Sequence, residues 1–369
     1  MPRRSTPSSD PVPAADPARP DDDAPPRPAA PGESRKVTAI DVAERAGVSR
    51  WTVSRAFTDG ASVAPEVRER ILEVATELGY RPNLLARGLI KRRSQLIGVV
   101  VDELANPNLM PVLDEITRQL QREGHLSILL NISDRTAQRP LLTLADQFQV
   151  DGLIFLGTVL TDDLVRLALE VRHIPLVVLY RSTVHPEIQV VSTDGRAAGR
   201  ALADLVAAEG AGHVAYMSGT PSESTQLRRL DGFREGLSGH GLALRTVIGT
   251  DHYRRDCGAS ALHALLESRA PQDWPDMLFC ETDILAIGAI DLLRQRGLEG
   301  RIGILGFDDI ELASSPTYDL TTWHQPMKAL VTEGVRRLLG GEVTQPQQHL
   351  SGWLVRRGSH RRTRPPVAG

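Results

Sequence analysis

The sequence predicts an N-terminal all-α helix–turn–helix headpiece joined to a larger α/β domain with two lobes. Three short stretches with apolar residues at helical spacing predict the headpiece, and a Gly-Val-Ser turn separates the first two of them. From about residue 96, buried-strand patterns alternate with amphipathic helical stretches, and this alternation predicts the α/β domain. A chain of 369 residues is long enough for one small domain and one bilobed domain.

The first 35 residues are predicted to stand apart from both units as a disordered arm. Residues 1–34 contain 10 of the 25 prolines and no aromatic residue, so they cannot bury enough apolar surface to fold. They also lack the apolar core of a secretory signal. No stretch of the chain reaches the roughly 18 apolar residues that a membrane helix needs. The sequence therefore predicts a cytoplasmic protein.

The first predicted helix of the headpiece has signals at both ends. Thr38 can cap its start, with Asp41 three residues later to return the hydrogen bond. Gly47 suits the left-handed backbone with which a helix commonly ends. The apolar residues predicted to face inward are Ile40, Ala43 and Ala46.

The second predicted helix begins at Arg50, after the capping residue Ser49. Its apolar face contains Val53 and Phe57. Its other face carries side chains that can bond to base edges, stack, or bond to phosphate: Arg50, Trp51, Ser54 and Arg55. A third helix is predicted to begin at Pro65, since proline suits the first turn of a helix.

Charge indicates the partner of the headpiece. From Arg35 to Gln95 there are 12 Lys or Arg and 7 Asp or Glu, a local excess of +5, whereas the whole chain carries −3. A local basic excess on an acidic chain is typical of a nucleic-acid-binding module. A helix–turn–helix of this kind places its second helix in the major groove of double-stranded DNA.

Residues 37–89 resemble the LacI/GalR family of bacterial transcription regulators, and the resemblance continues to about residue 359. It rests on the headpiece segment Val37–Phe57, on the segment Pro82–Leu89, and on motifs of the larger domain given below. The domains expected on this basis are an arm at 1–35, the headpiece at 36–80, a hinge helix and linker at 81–95, a bilobed ligand-binding and dimerisation domain at 96–359, and a flexible tail at 360–369.

The resemblance also implies how the hinge works. In the family this segment becomes helical only on DNA, and the leucine that matches Leu89 wedges into the minor groove at the centre of the operator. Gly88 weakens such a helix by about 1 kcal/mol relative to Ala. Ile90 stands where members of the family often have Lys. The following Lys91-Arg92-Arg93 either contacts phosphate or forms a solvated linker.

Operator selection in the family depends on the three positions that are held here by Arg50, Trp51 and Arg55. Trp51 is an unusual residue there, so no known operator is carried over. The residues predicted to contact DNA are Thr38, Ser49, Arg50, Trp51, Thr52, Ser54, Arg55, Asn83, Ala86, Arg87 and Leu89.

Strand and helix patterns divide the larger domain into two lobes. Strands are predicted at Leu96–Val101, Ser127–Leu130, Gly152–Leu156 and Pro175–Tyr180 in the first lobe, and at His213–Ser218, Asp276–Cys280 and Arg301–Phe307 in the second. Helices are predicted at Met110–Glu123, Arg196–Glu209 and Asp283–Arg296. This alternation favours two parallel sheets covered by helices, with a ligand cleft at the carboxyl ends of the strands. The resemblance implies a periplasmic-binding-protein-like fold, with crossovers near Val191–Asp194, Trp323–Pro326 and Gly340–Gln345.

Three motifs place effector-binding residues at strand ends. Asn106-Pro107-Asn108 is similar to the Asn-Pro-Phe loop of the family, but without its aromatic residue. Arg229 begins an Arg-x-x-Gly-Phe motif, and Asp308 follows Gly-Phe; the family binds effector with both residues. Thr282 stands where the family has Asn. The predicted effector-binding residues are Asn106, Asn108, Thr225, Arg229, Tyr253, Thr282, Asp308 and Gln325.

An Arg and an Asp that face one cleft can donate to and accept from vicinal hydroxyls, so a sugar or related polyol is the expected effector. A purine or another small metabolite is the alternative. The expected mechanism is a homodimer that binds a pseudo-palindromic operator as a repressor, with an effector that shifts the lobes and thereby the hinges. The C-terminal segment has no apolar heptads, so no tetramerising coiled coil is expected.

Other functions are less consistent with the sequence. No metal-ligand spacing and no cofactor motif occurs, and Cys257 and Cys280 are predicted to be reduced, packed thiols. The chain has no phosphate-binding Gly-x-x-x-x-Gly-Lys motif and no nucleophile elbow, so no enzyme is predicted. The glycines of Gly195–Gly199 are better explained by close helix packing. The rival from another class is a solute-binding protein, but the missing signal sequence and the attached headpiece argue strongly against it. A regulator that responds to a protein partner in place of a small molecule stays open.

Overall fold

The computed structural model describes residues 37–58, 60–82, 93–102, 104–133, 138–156, 174–183, 185–186, 188–219 and 225–363, with only the backbone at 138, 139, 225 and 226. The chain divides into two compact units, with the boundary after Asn83. The predicted arm lies outside the described residues, as do the hinge residues predicted to contact DNA: Asn83, Ala86, Arg87 and Leu89.

The headpiece consists of three helices, α1 (Ala39–Ala46), α2 (Arg50–Ala56) and α3 (Pro65–Leu78). The Thr38 hydroxyl and the Asp41 carboxylate form a reciprocal capping box at the start of α1. Gly47 ends α1 with φ 65°, a conformation that glycine adopts without strain. These local signals fix the two helices of the helix–turn–helix at the positions that the sequence predicts.

The core of the headpiece is small and aliphatic. Its buried side chains are those of Val42, Ala43, Ala46, Val53, Ala56, Ile71 and Ala75. The prediction for Ile40 is wrong, since 49% of its surface is exposed and the fully buried Val42 takes the inward position. The buried stripe of α1 runs through residues 42, 43 and 46, and Ile40 lies outside it on the helix surface.

The larger unit contains two six-stranded sheets. The first sheet has the order β13-β6-β4-β3-β1-β2 and is parallel throughout. Its strands are β1 (Leu96–Val101), β2 (Leu126–Asn131), β3 (Gly152–Leu156), β4 (Leu176–Leu179), β6 (Gln189–Thr193) and β13 (Gln347–Leu350). The helices that belong to this lobe are α4 (Leu109–Arg122), α5 (Gln138–Gln147) and α10 (Met327–Leu338).

The second sheet has the order β14-β12-β11-β10-β7-β9, and only its edge strand β14 is antiparallel. Its strands are β7 (Val214–Ser218), β9 (Leu244–Gly249), β10 (Met277–Cys280), β11 (Gly303–Asp308), β12 (Thr321–His324) and β14 (Trp353–Val355). Its helices are α6 (Gly195–Ala208), α7 (Arg229–Gly239), α8 (Arg255–Glu267) and α9 (Asp283–Gln295), with short 3₁₀ turns at Pro271–Asp273 and Glu311–Ser314. The predicted two-sheet α/β architecture is thus confirmed.

The chain passes between the lobes three times. The first passage follows β6 at Asp194, and the second follows β12 at Gln325–Pro326. The prediction of a third passage near Gly340–Gln345 is wrong, because β13 pairs with β6 in the first lobe. The third passage lies at Ser351–Gly352, between β13 and the second-lobe strand β14. The predicted and the observed third passage are separated by β13, a short edge strand whose sequence, Gln-Gln-His-Leu, has little apolar pattern.

The end of the second lobe extends further than predicted. Residues 360–363 were expected to belong to a flexible tail, but His360 is buried, and its ring bonds to the Thr321 hydroxyl over 2.7 Å. Arg362 forms an ion pair with Asp276 at 2.8 Å, and the Thr363 amide donates to Gly300. These contacts fix residues 360–363 against the second sheet.

Glycines permit the close packing of α6 on α7, as the sequence predicts. A Cβ atom at Gly199 would lie 2.3 Å from the Arg229 carbonyl oxygen, and one at Gly232 would lie 2.0 Å from that of Arg196. Backbone therefore contacts backbone at this helix pair, which fixes the start of α7. None of the helices in the described part of the chain is both long and apolar enough to cross a membrane.

Candidate functional site

One cleft between the two lobes collects the predicted ligand residues. It has a volume of about 570 Å³, including its open mouth. Seven of the eight predicted residues line it: Asn106, Asn108, Arg229, Tyr253, Thr282, Asp308 and Gln325. The eighth, Thr225, lies in the two-residue strand β8 (Thr225–Gln226), and the described atoms do not include its side chain.

Arg229 and Asp308 form the charged centre of the second-lobe wall. Both side chains are buried, and an Arg229 amino group lies 3.9 Å from an Asp308 carboxylate oxygen. The central carbon of the guanidinium lies over the Phe307 ring, 3.4 Å from the ring centroid, and the group donates to the Glu281 carbonyl. Burial raises the pKa of Asp308 to about 8, although the nearby arginine opposes this shift. The pair presents a fixed donor beside an acceptor whose charge depends on pH.

Gln325 orients Asp308. Its amide nitrogen donates to the Asp308 carboxylate over 2.7 Å, and its amide oxygen accepts from the Thr193 hydroxyl over 2.7 Å. Both the nitrogen and the oxygen of the Gln325 side-chain amide are thus hydrogen-bonded to other residues of the chain. At the cleft, its partner is Asp308. The same chain of bonds joins the end of β6 to the second passage between the lobes.

Glu281 supports the aromatic part of the wall and was missed by the sequence analysis. One of its carboxylate oxygens accepts from the Tyr253 hydroxyl at 2.7 Å and from the Gly219 amide at 2.7 Å. The other accepts from the Tyr216 hydroxyl at 3.0 Å. Tyr253 is thereby held with its ring toward the cleft, as the interpretation of Tyr253 as an aromatic wall requires.

The first-lobe wall contains residues that the motifs did not indicate. The additional lining residues are Asp102, Leu109, Val112, Leu156, Tyr180, Arg181 and, from the second lobe, Leu227. Tyr180 and Arg181 directly follow β4, so the strand-end rule could have found them without a motif. Burial lowers the pKa of Arg181, but the nearby Tyr253, Asp102 and Glu281 outweigh it, so the pKa lies above its usual value.

Part of the strained backbone of the larger unit lies at the cleft. Three non-glycine residues at its edge have positive φ: Tyr180 at 71°, Arg228 at 58° and Asp308 at 125°. Such conformations cost about 1–3 kcal/mol each and persist where the surrounding structure imposes them. Each of them lies at the end of a strand or at the start of a helix.

A small antiparallel ladder joins the lobes beside the cleft. Strand β5 (Ser182–Thr183) of the first lobe pairs with β8 of the second, with Ser182 opposite Gln226. Arg181 precedes β5 and lies 5.9 Å from the centroid of the Tyr253 ring. The lobes are therefore in contact through backbone and side chains on this side of the ligand space.

The exposed face of α2 presents a different kind of surface. Trp51 is 67% exposed, and the Arg55 guanidinium lies 4.4 Å from the centroid of its ring. Arg55 also donates to the Ser62 carbonyl over 3.1 Å. Arg50 and Ser54 are exposed on the same helix, as is Thr38 before α1.

Ser49 and Thr52 occupy the start of α2. The Thr52 amide donates to the Ser49 hydroxyl over 3.1 Å, and the two hydroxyls lie 2.8 Å apart. Ser49 thus caps the amino end of α2, and this end of the helix is exposed. All seven headpiece residues that were predicted to contact DNA lie at the N-caps of α1 and α2 or on α2.

Comparison with known proteins shows what kind of protein has this architecture. Residues 38–83 match the family described as bacterial regulatory proteins, lacI family, and residues 94–330 match periplasmic binding proteins and sugar binding domain of LacI family. The chain belongs to the LacI family. It is accordingly a DNA-binding transcription regulator and not an enzyme, as predicted. The solute-binding alternative is set aside, because the match includes the DNA-binding headpiece.

Individual relatives cover nearly the whole chain. The transcriptional regulator AscG of Escherichia coli is 30% identical, over 87% of this chain and 98% of its own length. The Lac repressor dimer bound to operator and the anti-inducer ONPF has 26% identity and a TM-score of 0.79, covering 89% of this chain and 100% of that one. A complex of the transcriptional regulator CelR with cellobiose has 27% identity and a TM-score of 0.65, covering 88% of this chain and 100% of that one.

Proposed function

We propose that this LacI-family regulator is a homodimeric repressor whose operator affinity is controlled by a neutral, polyhydroxylated effector such as a sugar. The observation that carries the proposal is the pairing of buried Arg229 with buried Asp308 at one cleft, with Gln325 orienting the carboxylate. A guanidinium beside a carboxylate donates to one hydroxyl and accepts from its neighbour, which is how adjacent hydroxyls are distinguished from isolated ones.

Charge in the cleft favours a neutral ligand. The lining contains two arginines, Arg181 and Arg229, and two acidic residues, Asp102 and Asp308, so each arginine has an acidic neighbour. A strongly anionic effector would have to displace the acidic partners of the arginines. The cellobiose complex of CelR supports the same class of ligand for this fold. A purine is the alternative effector, since the aromatic residues Tyr180 and Tyr253 both line the described cleft.

We propose that α2 recognises operator DNA in the major groove through Arg55 and Trp51. The stacked indole holds Arg55 along the helix, which lowers the entropy that the arginine loses when it bonds to a guanine edge. The exposed remainder of the indole offers apolar contact to a neighbouring thymine methyl. Arg50 and Ser54 then contact phosphate or base from the same face.

A second copy of the chain is proposed to cover the outer edge of the first sheet. Strand β2 is the edge strand there, and Leu126 and Leu129 on it are exposed, together with Phe148 nearby. Exposed apolar side chains on an open edge are a liability for a monomer and are typical of an interface. The Lac repressor neighbour is a dimer on its operator, which supports one headpiece per half-site here.

The test combines selection of binding sites from random duplex DNA with the full-length chain and a measurement of its mass in solution by light scattering. The proposal expects a palindrome of roughly 14–20 base pairs and a dimeric mass. Fluorescence anisotropy with that operator then measures affinity with and without sugars. A monomeric mass would contradict the homodimer. An operator affinity that no sugar changes, while a protein partner changes it, would favour the alternative of a protein-controlled regulator.

A further inference from the structure

One carboxylate holds the point at which the predicted linker enters the first lobe. Asp151 directly precedes β3, and its two oxygens accept hydrogen bonds from the backbone amides of Ser94 and Gln95, each over 2.9 Å. Ser94 and Gln95 are the last two residues of the linker predicted at 81–95, and they directly precede β1. Hydrogen bonds to a charged acceptor are stronger than those to a neutral one. We call Asp151, Ser94 and Gln95 the linker anchor.

Neighbouring parts of the first lobe complete the linker anchor. The Ser94 hydroxyl donates to the Gln149 carbonyl over 2.6 Å and accepts from the Leu96 amide over 3.2 Å. The Gln95 carbonyl accepts from the amide of Leu126, the first residue of β2, over 2.8 Å. The two linker residues are thus bonded to the start of β1, to the start of β2 and to the turn before β3.

The backbone at the linker anchor is strained. Gln95 has φ 59° and Gln149 has φ 52°, although neither residue is a glycine. Such left-handed conformations are uncommon for residues with a side chain, and they persist where the surrounding contacts impose them. The direction in which the linker leaves the lobe is therefore set by the contacts of the anchor and not by the local preference of the backbone.

The linker anchor also limits how far each hinge can lie from its lobe. Five residue steps join Leu89, which is predicted to contact the operator, to Ser94, and a fully extended chain spans at most about 18 Å over them. If the anchor opens, the free stretch extends toward Leu96 and its maximal reach grows to about 25 Å. The difference of about 7 Å corresponds to about two base-pair steps of DNA. An intact anchor therefore restricts the positions that a hinge can occupy on an operator.

We propose that Asp151 is a positioning residue for operator recognition, which fixes the exit of the linker and thereby the half-site spacing that the dimer prefers. It acts through the linker and not through a contact with DNA. Because the anchor removes linker conformations in advance, less conformational entropy is lost when both hinges bind one palindrome. This inference rests on the proposed homodimeric repressor, and it adds a residue that no motif of the sequence indicated.

The spacing preference for the operator tests this role. Fluorescence anisotropy measures the Kd of the full-length protein for the selected palindrome and for the same palindrome with one base pair inserted at its centre. We expect the wild type to prefer the uninterrupted palindrome by at least about tenfold, and Asp151→Ala by only about two- to threefold. The variant loses preorganised binding to the uninterrupted palindrome and keeps its affinity for the other. A merely structural role would lower both affinities together and leave their ratio unchanged.

Two further variants make the result independent of how well Asp151→Ala folds. Ser94→Ala removes the bond to Gln149 and leaves both amide bonds to Asp151, so it should lower the preference by a smaller factor, about twofold. Asp204→Ala is the matched control, because this exposed carboxylate bonds to His240 over 2.7 Å and lies outside the linker anchor. The control is expected to keep the preference of the wild type.

Hydrogen exchange tests the linker anchor without DNA. The amides of Ser94 and Gln95 should exchange more slowly in the wild type than in Asp151→Ala, because each loses its acceptor in the variant. Equal exchange rates, or an unchanged spacing preference in Asp151→Ala and Ser94→Ala, would overturn the inference. Failure of the proposed function has a different signature, since the wild type would then select no palindrome or have a monomeric mass.

Discussion

The two walls of the cleft differ in how firmly their polar groups are held. On the second lobe, Asp308 is oriented by Gln325, and Tyr253 is held by Glu281. On the first lobe, the Tyr180 hydroxyl has no hydrogen-bond partner among the described residues. The Asn106 side-chain oxygen accepts a hydrogen bond from the Asn108 backbone amide at 3.1 Å. Apart from the Thr282 hydroxyl, the second lobe is thus organised before any ligand arrives, whereas Tyr180 of the first lobe still lacks a hydrogen-bond partner among the described residues.

This difference suggests that the two walls have different roles in binding the effector. A preorganised wall fixes the orientation of the effector at little entropic cost, because its groups are already in place. A wall with unmet hydrogen bonds gains more from the ligand and therefore drives the change in lobe position. Variants of the two walls are expected to differ in size of effect and in what they do to stability.

The largest effect is expected for Asp308→Asn. At about pH 9, above the pKa of Asp308, the substitution keeps the shape but removes the negative charge that accepts from effector hydroxyls and faces Arg229. Bonds to charged groups contribute about 1.5–3 kcal/mol, so effector affinity should fall roughly 10- to 100-fold. Calorimetry measures this loss, and operator affinity without effector should not change. Asp256→Asn, at an exposed ion pair with Arg254, is the control; an equal loss there would contradict the role of Asp308.

Gln325→Leu is expected to have the next largest effect. It leaves the Asp308 carboxylate and the Thr193 hydroxyl each without a partner that lies 2.7 Å away in the wild type. Urea unfolding should show a loss of about 1–3 kcal/mol, and effector affinity should fall about tenfold because Asp308 loses its orientation. Unchanged effector affinity in a destabilised variant would show that orientation by Gln325 is unimportant.

The pH dependence of stability reports on the same carboxyl group. Burial raises the pKa of Asp308 from 3.8 to about 8. Between these values the folded protein holds a proton that the unfolded chain has lost, so this group makes ligand-free stability fall as pH rises from about 4 to about 8. Asp308→Asn removes the effect. Its melting temperature relative to wild type should therefore increase from pH 5 to pH 8.5, and a constant difference would be evidence against a buried, protonated Asp308.

The smallest effect is expected at Asn108 of the first-lobe wall. Its side chain makes no hydrogen bond to the described residues, since the bond to Asn106 uses its backbone amide. Asn108→Ala should lower sugar affinity only a few-fold, about 0.5–1 kcal/mol, without a measurable change in melting temperature. A loss as large as that of Asp308→Asn would mean that the first lobe is the preorganised wall, contrary to this comparison.

Much of the architecture could be predicted because its signals are local. The capping box of Thr38 and Asp41, the helix end at Gly47, and strands such as Gly152–Leu156 follow from short stretches of sequence. Arg229 and Asp308 were found because they belong to intact motifs. Whether each contacts effector stays a prediction, as do the roles of the other cleft residues.

Other features depend on contacts between distant parts of the chain. Glu281, which directly follows β10, accepts hydrogen bonds from the Tyr253 and Tyr216 hydroxyls. No local sequence pattern predicts these contacts. The third passage between the lobes was misplaced because β13 is recognised only by its partner β6. Likewise, the packing of His360 depends on Thr321, which is far away in sequence. Such pairings become visible only when the fold brings the residues together.

The most direct test of the central claim is the operator affinity of wild type and Asp308→Asn, measured by fluorescence anisotropy on the selected palindrome over a titration with the sugar that binds. Coupling between two sites in such systems is typically about 5- to 150-fold. We predict a change of that size in the operator Kd of the wild type, the same change in the variant only at roughly 10- to 100-fold higher sugar concentration, and equal affinities when sugar is absent. An equal response in both proteins, or none in the wild type although sugar is bound, would contradict control of DNA binding through this cleft.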